Sequence, residues 1–192
     1  MSHYGNIKIA GGDTGAPLNL SKRIKLLCNY LDLKDKYILD CGCGTGEYVA
    51  ELLNYSAHVY GVEYSGNKLG VFKHKHQKQN ALIRGDIEKL CFKSRSFDFV
   101  LLNEVLEHIP NELKALKEIS LVLKAEGFLC IFSPNRFYPF ETHAVTLWGS
   151  KKPLPIWVPF IPYIPISLGK YFLKFTARNY FPWELKKLLH KR

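Results

Sequence analysis

Leu39-Asp40-Cys41-Gly42-Cys43-Gly44-Thr45-Gly46-Glu47-Tyr48 is the stretch that decides how this chain is read. It follows a short apolar run, Tyr37-Ile38-Leu39, that reads as a buried strand, and it precedes a helix-period pattern at Val49, Leu52 and Leu53. Three glycines between strand and helix allow a tight turn, and they let backbone approach a ligand that side chains would exclude. Their spacing is GxGxG, with an acid two residues before the first glycine. A dinucleotide fingerprint needs GxGxxG, so a nicotinamide-dependent oxidoreductase is disfavoured.

Acids recur at the ends of the next apolar runs. His58-Val59-Tyr60-Gly61-Val62 alternates and ends at Glu63. That is within about 20 residues of the glycine loop, where a carboxylate can accept both hydroxyls of a ribose. A third run, Ala81-Leu82-Ile83, passes through Arg84-Gly85 to Asp86-Ile87. A fourth, Phe97 to Leu102, ends at Asn103-Glu104 and continues Val105-Leu106-Glu107-His108-Ile109-Pro110. Taken singly, each acid is as readily a helix cap or turn residue. At three successive strand ends they form a set.

These residues resemble the class I S-adenosylmethionine (SAM)-dependent methyltransferases over roughly residues 18–134. Residues 39–48 resemble that family's motif I, and FDFVLLNEVLEHIP at 97–110 resembles the motif IV region of members acting on small molecules or lipids. The resemblance implies an α/β fold with a doubly wound, mostly parallel sheet in strand order 3-2-1-4-5 and helices on both faces. The crevice then lies at the carboxyl ends of the first and fourth strands, the topological switch point. It implies SAM as cofactor and S-adenosylhomocysteine as product. Asp40, Gly42, Gly44 and Gly46 would serve the cofactor's amino-acid end, Glu63 its ribose, and Tyr64 the adenine face. Asp86 and Ile87 would meet the adenine edge, with Asn103 beside the crevice.

A hydroxyl acceptor needs a base, and His108 is the candidate by position, although a lone His is more often structural. Glu104, Arg136, Glu141, His143 and Arg178 are candidates for facing the substrate. Their plainer readings are that the arginines pair with Glu141 and satisfy carbonyls, and that His143 stabilises its own loop. Glu107 reads as a solvated or helix-start acid.

Length and composition set the outer bounds. At 192 residues the chain suits one domain with a sizeable core, and 47% apolar with 14% aromatic content excludes a disordered chain. Five cysteines lie in apolar runs or in the glycine loop, which indicates reduced thiols. Cys41 and Cys43 lack two further ligands at finger-like spacing, so no metal is expected. The first residues lack a basic-then-apolar layout, and the expectation is a cytoplasmic protein with peripheral membrane contact through residues 153–169. A net charge of +10 and a pI near 9.3 invite anionic partners, but the charge is spread along the chain. Lys73-His74-Lys75-His76-Gln77-Lys78 reads as a solvated helix face. Asn103-Glu104-Val105-Leu106 is not the Asn-Pro-Pro-Tyr of base methylation, so an RNA methyltransferase is the weaker alternative. A non-catalytic SAM-binding scaffold is the other.

Residues 1–34 read as a glycine-rich lead-in and a helix capped by Asn19 or Ser21, with Ile24, Leu27, Tyr30 and Leu31 on its apolar face. Residues 35–134 form the cofactor-binding core, with strands near 37–41, 58–63, 81–85, 97–103 and 127–133. Residues 135–178 form a proline- and aromatic-rich insertion, read as a lid over the substrate pocket, with an apolar face for lipid as the second reading. Residues 179–192 carry a last helix, Trp183 to His190, with Pro182 in its first turn. The family adds two further strands, and strands six and seven are read as missing here. That leaves the fifth strand as an edge open to oligomerisation unless the insertion covers it. The aromatic insertion leans toward a lipid or small-molecule acceptor, with O-methylation favoured.

Overall fold

In the computed structural model, residues 19–75 and 82–190 are described. The lead-in, His76-Gln77-Lys78, Ala81 and the last two residues therefore lie outside the described residues.

Five parallel strands make the main sheet: β1 (Ile38–Cys41), β2 (Val59–Glu63), β3 (Leu82–Arg84), β4 (Phe97–Asn103) and β5 (Leu123–Phe132). They lie in the order β3-β2-β1-β4-β5, as the resemblance implies. Alternation along each strand sorts the core into two layers. Leu39, Cys41, Val100 and Leu102 face one cluster with Ala115, Leu116 and Ile119 of α4 (Glu112–Val122) and Leu185 and Leu188 of α6 (Pro182–Leu189). Ile38, Phe99 and Leu101 face the other, with Ile24 and Leu27 of α1 (Leu20–Tyr30) and Val49 and Leu52 of α2 (Glu47–Leu52). Both faces are covered, which is why β1 is buried along its whole length. A further helix, α3 (Gly66–Lys75), follows β2.

Local chemistry sets the helix ends. The Asn111 side chain accepts from the Lys114 amide at 3.0 Å and caps α4. Glu184 reaches back to the Phe181 amide at 2.9 Å, fixing the start of α6 one residue after that amide, at Pro182. Asn19 occupies the position before α1, but its backbone is left-handed and its side chain makes no cap; Ser21 lies inside the helix. Tyr30 is exposed and does not join the apolar face.

β5 starts four residues earlier than the sequence indicates. Leu123-Lys124-Ala125 continues a good helical pattern, yet pairing of Leu123 with Phe97 draws it into the sheet through an irregular step in register. The insertion also holds two strands the sequence reading did not place, β6 (Val145–Leu147) and β7 (Leu173–Phe175). They pair antiparallel as a separate sheet rather than extending the main one. Val145, Ile161 and Leu173 form a small core beneath them. A short helix, α5 (Ile166–Gly169), closes this unit against β7.

β5 is the sheet's edge, but beyond its end Tyr180 pairs with the chain at Pro134 and Arg136. Within the insertion Trp157 is 72% exposed, and Ile156 and Phe160 are also exposed. No helix among the described residues is long and apolar enough to cross a membrane.

Candidate active site

The glycine loop turns between β1 and α2 on three residues in the left-handed region: Gly42 (φ 77°), Gly44 (φ 60°) and Gly46 (φ 84°). Gly42 and Gly44 need glycine for different reasons. A Cβ on Gly42 would sit 2.5 Å from a methyl of Val105, so loop and β4 exit pack backbone against side chain. A Cβ on Gly44 would meet nothing within 4 Å, which leaves its face open to a ligand. Gly42→Ala therefore combines a strained backbone with a collision, and should lower the unfolding free energy by about 2–4 kcal/mol in urea titration. Gly44→Ala should cost about 1–2 kcal/mol, through the backbone alone.

Glu63 ends β2 directly beside this loop. Its carboxylate accepts from the amides of Gly44 at 2.9 Å and Ser65 at 2.8 Å, with the Lys68 ammonium at 4.0 Å. It thus ties the glycine loop to the next strand end. Asp40 is only 2% exposed, beneath the loop. Burial, with the charges of Glu63 and Glu47 beside it, pushes its carboxyl up to about 7. Tyr64 is exposed at the end of β2. Asp86 is exposed, and one of its oxygens accepts from the Glu88 amide at 2.9 Å in a local turn. Ile87 is partly buried against the main core. Cys41 and Cys43 are buried and their thiols are held protonated by that burial, as fillers of the turn.

At the exit of β4 the structure adds a residue the sequence reading missed. Arg23 of α1 donates to Asn103 Oδ1 at 2.5 Å and to Glu104 Oε1 at 2.6 Å, and lies over the Phe132 ring. Asn103 and Glu104 are therefore held by the helix that precedes the sheet. The signal was available: Arg23 stands four residues before Leu27, a charge on the apolar stripe of α1.

Glu107, His108 and His143 come together, although 35 residues separate the last two. Glu107 is 2% exposed, in the first turn of a short 3-10 helix (Leu106–His108) and beside the Glu104 carboxyl, so it is a helix-start acid and not a solvated one. Burial, reinforced by the charge of Glu104, pushes its carboxyl up to about 8. His108 Nδ1 lies 3.2 Å from the Thr176 carbonyl oxygen; a carbonyl only accepts, so Nδ1 carries the proton and the lone pair is on Nε2. Burial lowers the pKa of His108, and the charges of His143 and Lys68 act the same way. The His108 and His143 rings meet edge to face at 5.2 Å. Glu141 is buried too, accepting from the His143 amide at 2.9 Å and from Asn179 Nδ2 at 2.5 Å. Burial raises the pKa of Glu141, but those bonds outweigh it and hold the carboxyl below its ordinary value.

The two arginines are each engaged by a glutamate. Arg178 bonds the Ile109 carbonyl and Glu112, each at 2.8 Å, and Glu112 also takes the Tyr180 hydroxyl. Arg136 sits 3.4 Å from Glu184 and over the Phe181 ring. Both arginines line one cavity of about 250 Å³ together with these two glutamates, so its charge is already balanced.

Residues 39–131 match the family model described as a methyltransferase domain. The chain is 31% identical over 140 residues to a ubiquinone biosynthesis O-methyltransferase of Coxiella burnetii, covering 70% of this chain and 59% of that protein. It is 32% identical over 150 residues to a demethylmenaquinone methyltransferase of Staphylococcus aureus, covering 76% and 57%. The chain thus spans less than two thirds of the length of either relative. Among solved structures, a SAM-dependent methyltransferase from Aquifex aeolicus superposes with a TM-score of 0.64 at 18% identity, over 91% of this chain and 81% of that one. At that identity the likeness speaks to the fold alone.

Proposed function

We propose, from the premise that this chain carries a class I SAM-dependent methyltransferase domain, that it moves a methyl group from SAM to a small, quinone-type acceptor. The observation that carries this reading is the contact of Glu63 with the Gly44 amide, which sets a carboxylate against an open stretch of backbone. That arrangement suits a ribose on the carboxylate and an amino-acid tail along the loop.

The sulfonium supplies the activation. The acceptor's nucleophilic atom forms a bond to the methyl carbon, the carbon–sulfur bond breaks, and its electron pair stays on sulfur to give S-adenosylhomocysteine. The protein's part is to hold nucleophile, carbon and sulfur in line and out of water. Asp40 lies under the loop as the acid for the cofactor's amino-acid end, with Tyr64 and Asp86 at the strand ends that would frame the adenine. A hydroxyl acceptor must lose its proton, and the Nε2 lone pair of His108 beyond β4 suits that task.

The class of acceptor rests on the two quinone-related relatives, and O-methylation on the printed name of the first. The test is transfer of labelled methyl from SAM to demethylated quinone precursors, with the product analysed by mass spectrometry. Label on a ring oxygen supports the full reading. Label on ring carbon keeps methyl transfer and removes O-methylation, and no transfer to any quinone precursor removes this acceptor class.

A further inference from the structure

Lys68 breaks the local rules of the helix that carries it. Ser65 stands immediately before α3, and Lys68 is the third residue of that helix. A start of this kind favours Glu or Gln at that position, and the positive end of the helix dipole favours an acid. The first turn of α3 holds no acid. The side chain does not escape into solvent either, since only 39% of it is exposed. Its ammonium lies 4.0 Å from Glu63 Oε2, beyond hydrogen-bond reach, while the amides of Gly44 and Ser65 hold that carboxylate. The fold thus keeps a half-buried cation beside the glycine loop without a close ion pair.

The charge of Lys68 also reaches the exit of β4. Burial lowers the pKa of His108, and the charges of His143 and Lys68 add to that effect. The ammonium is therefore within electrostatic range of both ends of the proposed reaction line, the carboxylate for the ribose and the base for the acceptor. Arg23 brings a second cation to this region, but Asn103 and Glu104 take its guanidinium.

We propose that Lys68 is a specificity-determining residue that sets how the site discriminates between SAM and S-adenosylhomocysteine. The inference rests on the proposed methyl transfer, in which in-line displacement sets sulfur between the ribose and the acceptor. SAM carries a positive sulfur and S-adenosylhomocysteine a neutral one, whereas adenine, ribose and amino-acid tail are common to both. A fixed ammonium in range of that sulfur repels the first ligand and not the second. As the methyl carbon bonds to the acceptor, the carbon–sulfur bond breaks and its electron pair stays on sulfur. The repulsion is then relieved in the transition state, so the same charge that weakens SAM binding favours transfer. It also favours retention of the product. Turnover accordingly follows the ratio of SAM to S-adenosylhomocysteine, rather than SAM alone.

Binding without any acceptor tests this. The full chain is titrated calorimetrically with SAM and, separately, with S-adenosylhomocysteine, in the parent, Lys68→Met, Lys68→Gln and Lys68→Arg. The quantity read is the ratio of the two dissociation constants, SAM over S-adenosylhomocysteine. It should fall about fivefold in Lys68→Met and stay near the parent's value in Lys68→Arg, which keeps the charge. Circular dichroism checks the fold of each variant, and Lys68→Gln carries the test if Lys68→Met misfolds. A role confined to supporting Glu63 shifts both constants together, and an unchanged ratio in the neutral variants would overturn the proposal. An equal fall in Lys68→Arg would overturn it too. Binding of neither ligand by the folded parent would overturn the methyltransferase reading and this proposal with it, whereas binding of both with an unchanged ratio overturns this proposal alone.

Discussion

Alanine in place of Glu63 is expected to weaken SAM binding about 100-fold or more, measured by titration calorimetry on the full chain. Two losses combine in that figure. In the proposed binding mode the carboxylate accepts from the ribose hydroxyls, and charge-assisted bonds of that kind contribute about 1.5–3 kcal/mol each. It also holds the amides of Gly44 and Ser65, at 2.9 and 2.8 Å, so its removal loosens the loop that the ligand must lie along. Glu63→Gln separates the two effects. The amide oxygen can still accept from one backbone N–H, but the negative charge is gone, and an intermediate loss of roughly tenfold is expected. An affinity unchanged in Glu63→Ala would remove the ribose assignment.

Asp40→Asn should act on stability and binding in opposite directions. The native carboxyl keeps its proton up to about pH 7, whereas the unfolded chain releases it near 3.8. Between those values the native state binds more protons than the unfolded one. Stability contributed by this group therefore falls as pH rises from about 4 to 7, by up to about 4 kcal/mol. The full cost is present above pH 7. Asparagine removes the charge, and denaturant titration at pH 8 should show the variant about 2 kcal/mol or more stabler than the parent, a gain that shrinks toward pH 4. SAM affinity should fall tenfold or more in the variant, because a cationic ligand is bound best over an ionised Asp40. For the same reason the parent's affinity should weaken as pH falls from 8 to 6. Equal stability of parent and variant at pH 8 would show that burial of this acid carries no cost for the fold.

Much of the fold was legible because strand endings carry chemistry. Asp40, Glu63, Asp86 and Asn103 each mark where an apolar run stops: Asp40 is the last residue but one of β1, and the other three lie at or just beyond the ends of β2 to β4. Glycines at 42, 44 and 46 announced positive φ, and the backbone adopts it at each. Other features were hidden for physical reasons. Residues 123–125 have helical propensity, and only the non-local partner Phe97 makes them strand. β6 and β7 are three residues each, separated by a proline-rich stretch, so neither shows a usable alternation. The candidate site divides in the same way. The half built on the glycine loop and β2 follows from local spacing. The half built from Glu107, His108 and His143 does not, because His143 arrives through an insertion whose path no local pattern encodes. Arg178 and Arg136 were drawn toward structural acids, Glu112 and Glu184, that were too distant in sequence to be paired with them in advance.

The most direct test of the whole account is a crystal of this chain grown with S-adenosylhomocysteine. Density should show the ribose hydroxyls within 3 Å of the Glu63 carboxylate and the amino-acid tail along Gly42 to Gly46, above Asp40. Nucleoside density elsewhere on the chain, with Glu63 still bonded only to Gly44 and Ser65, would contradict it.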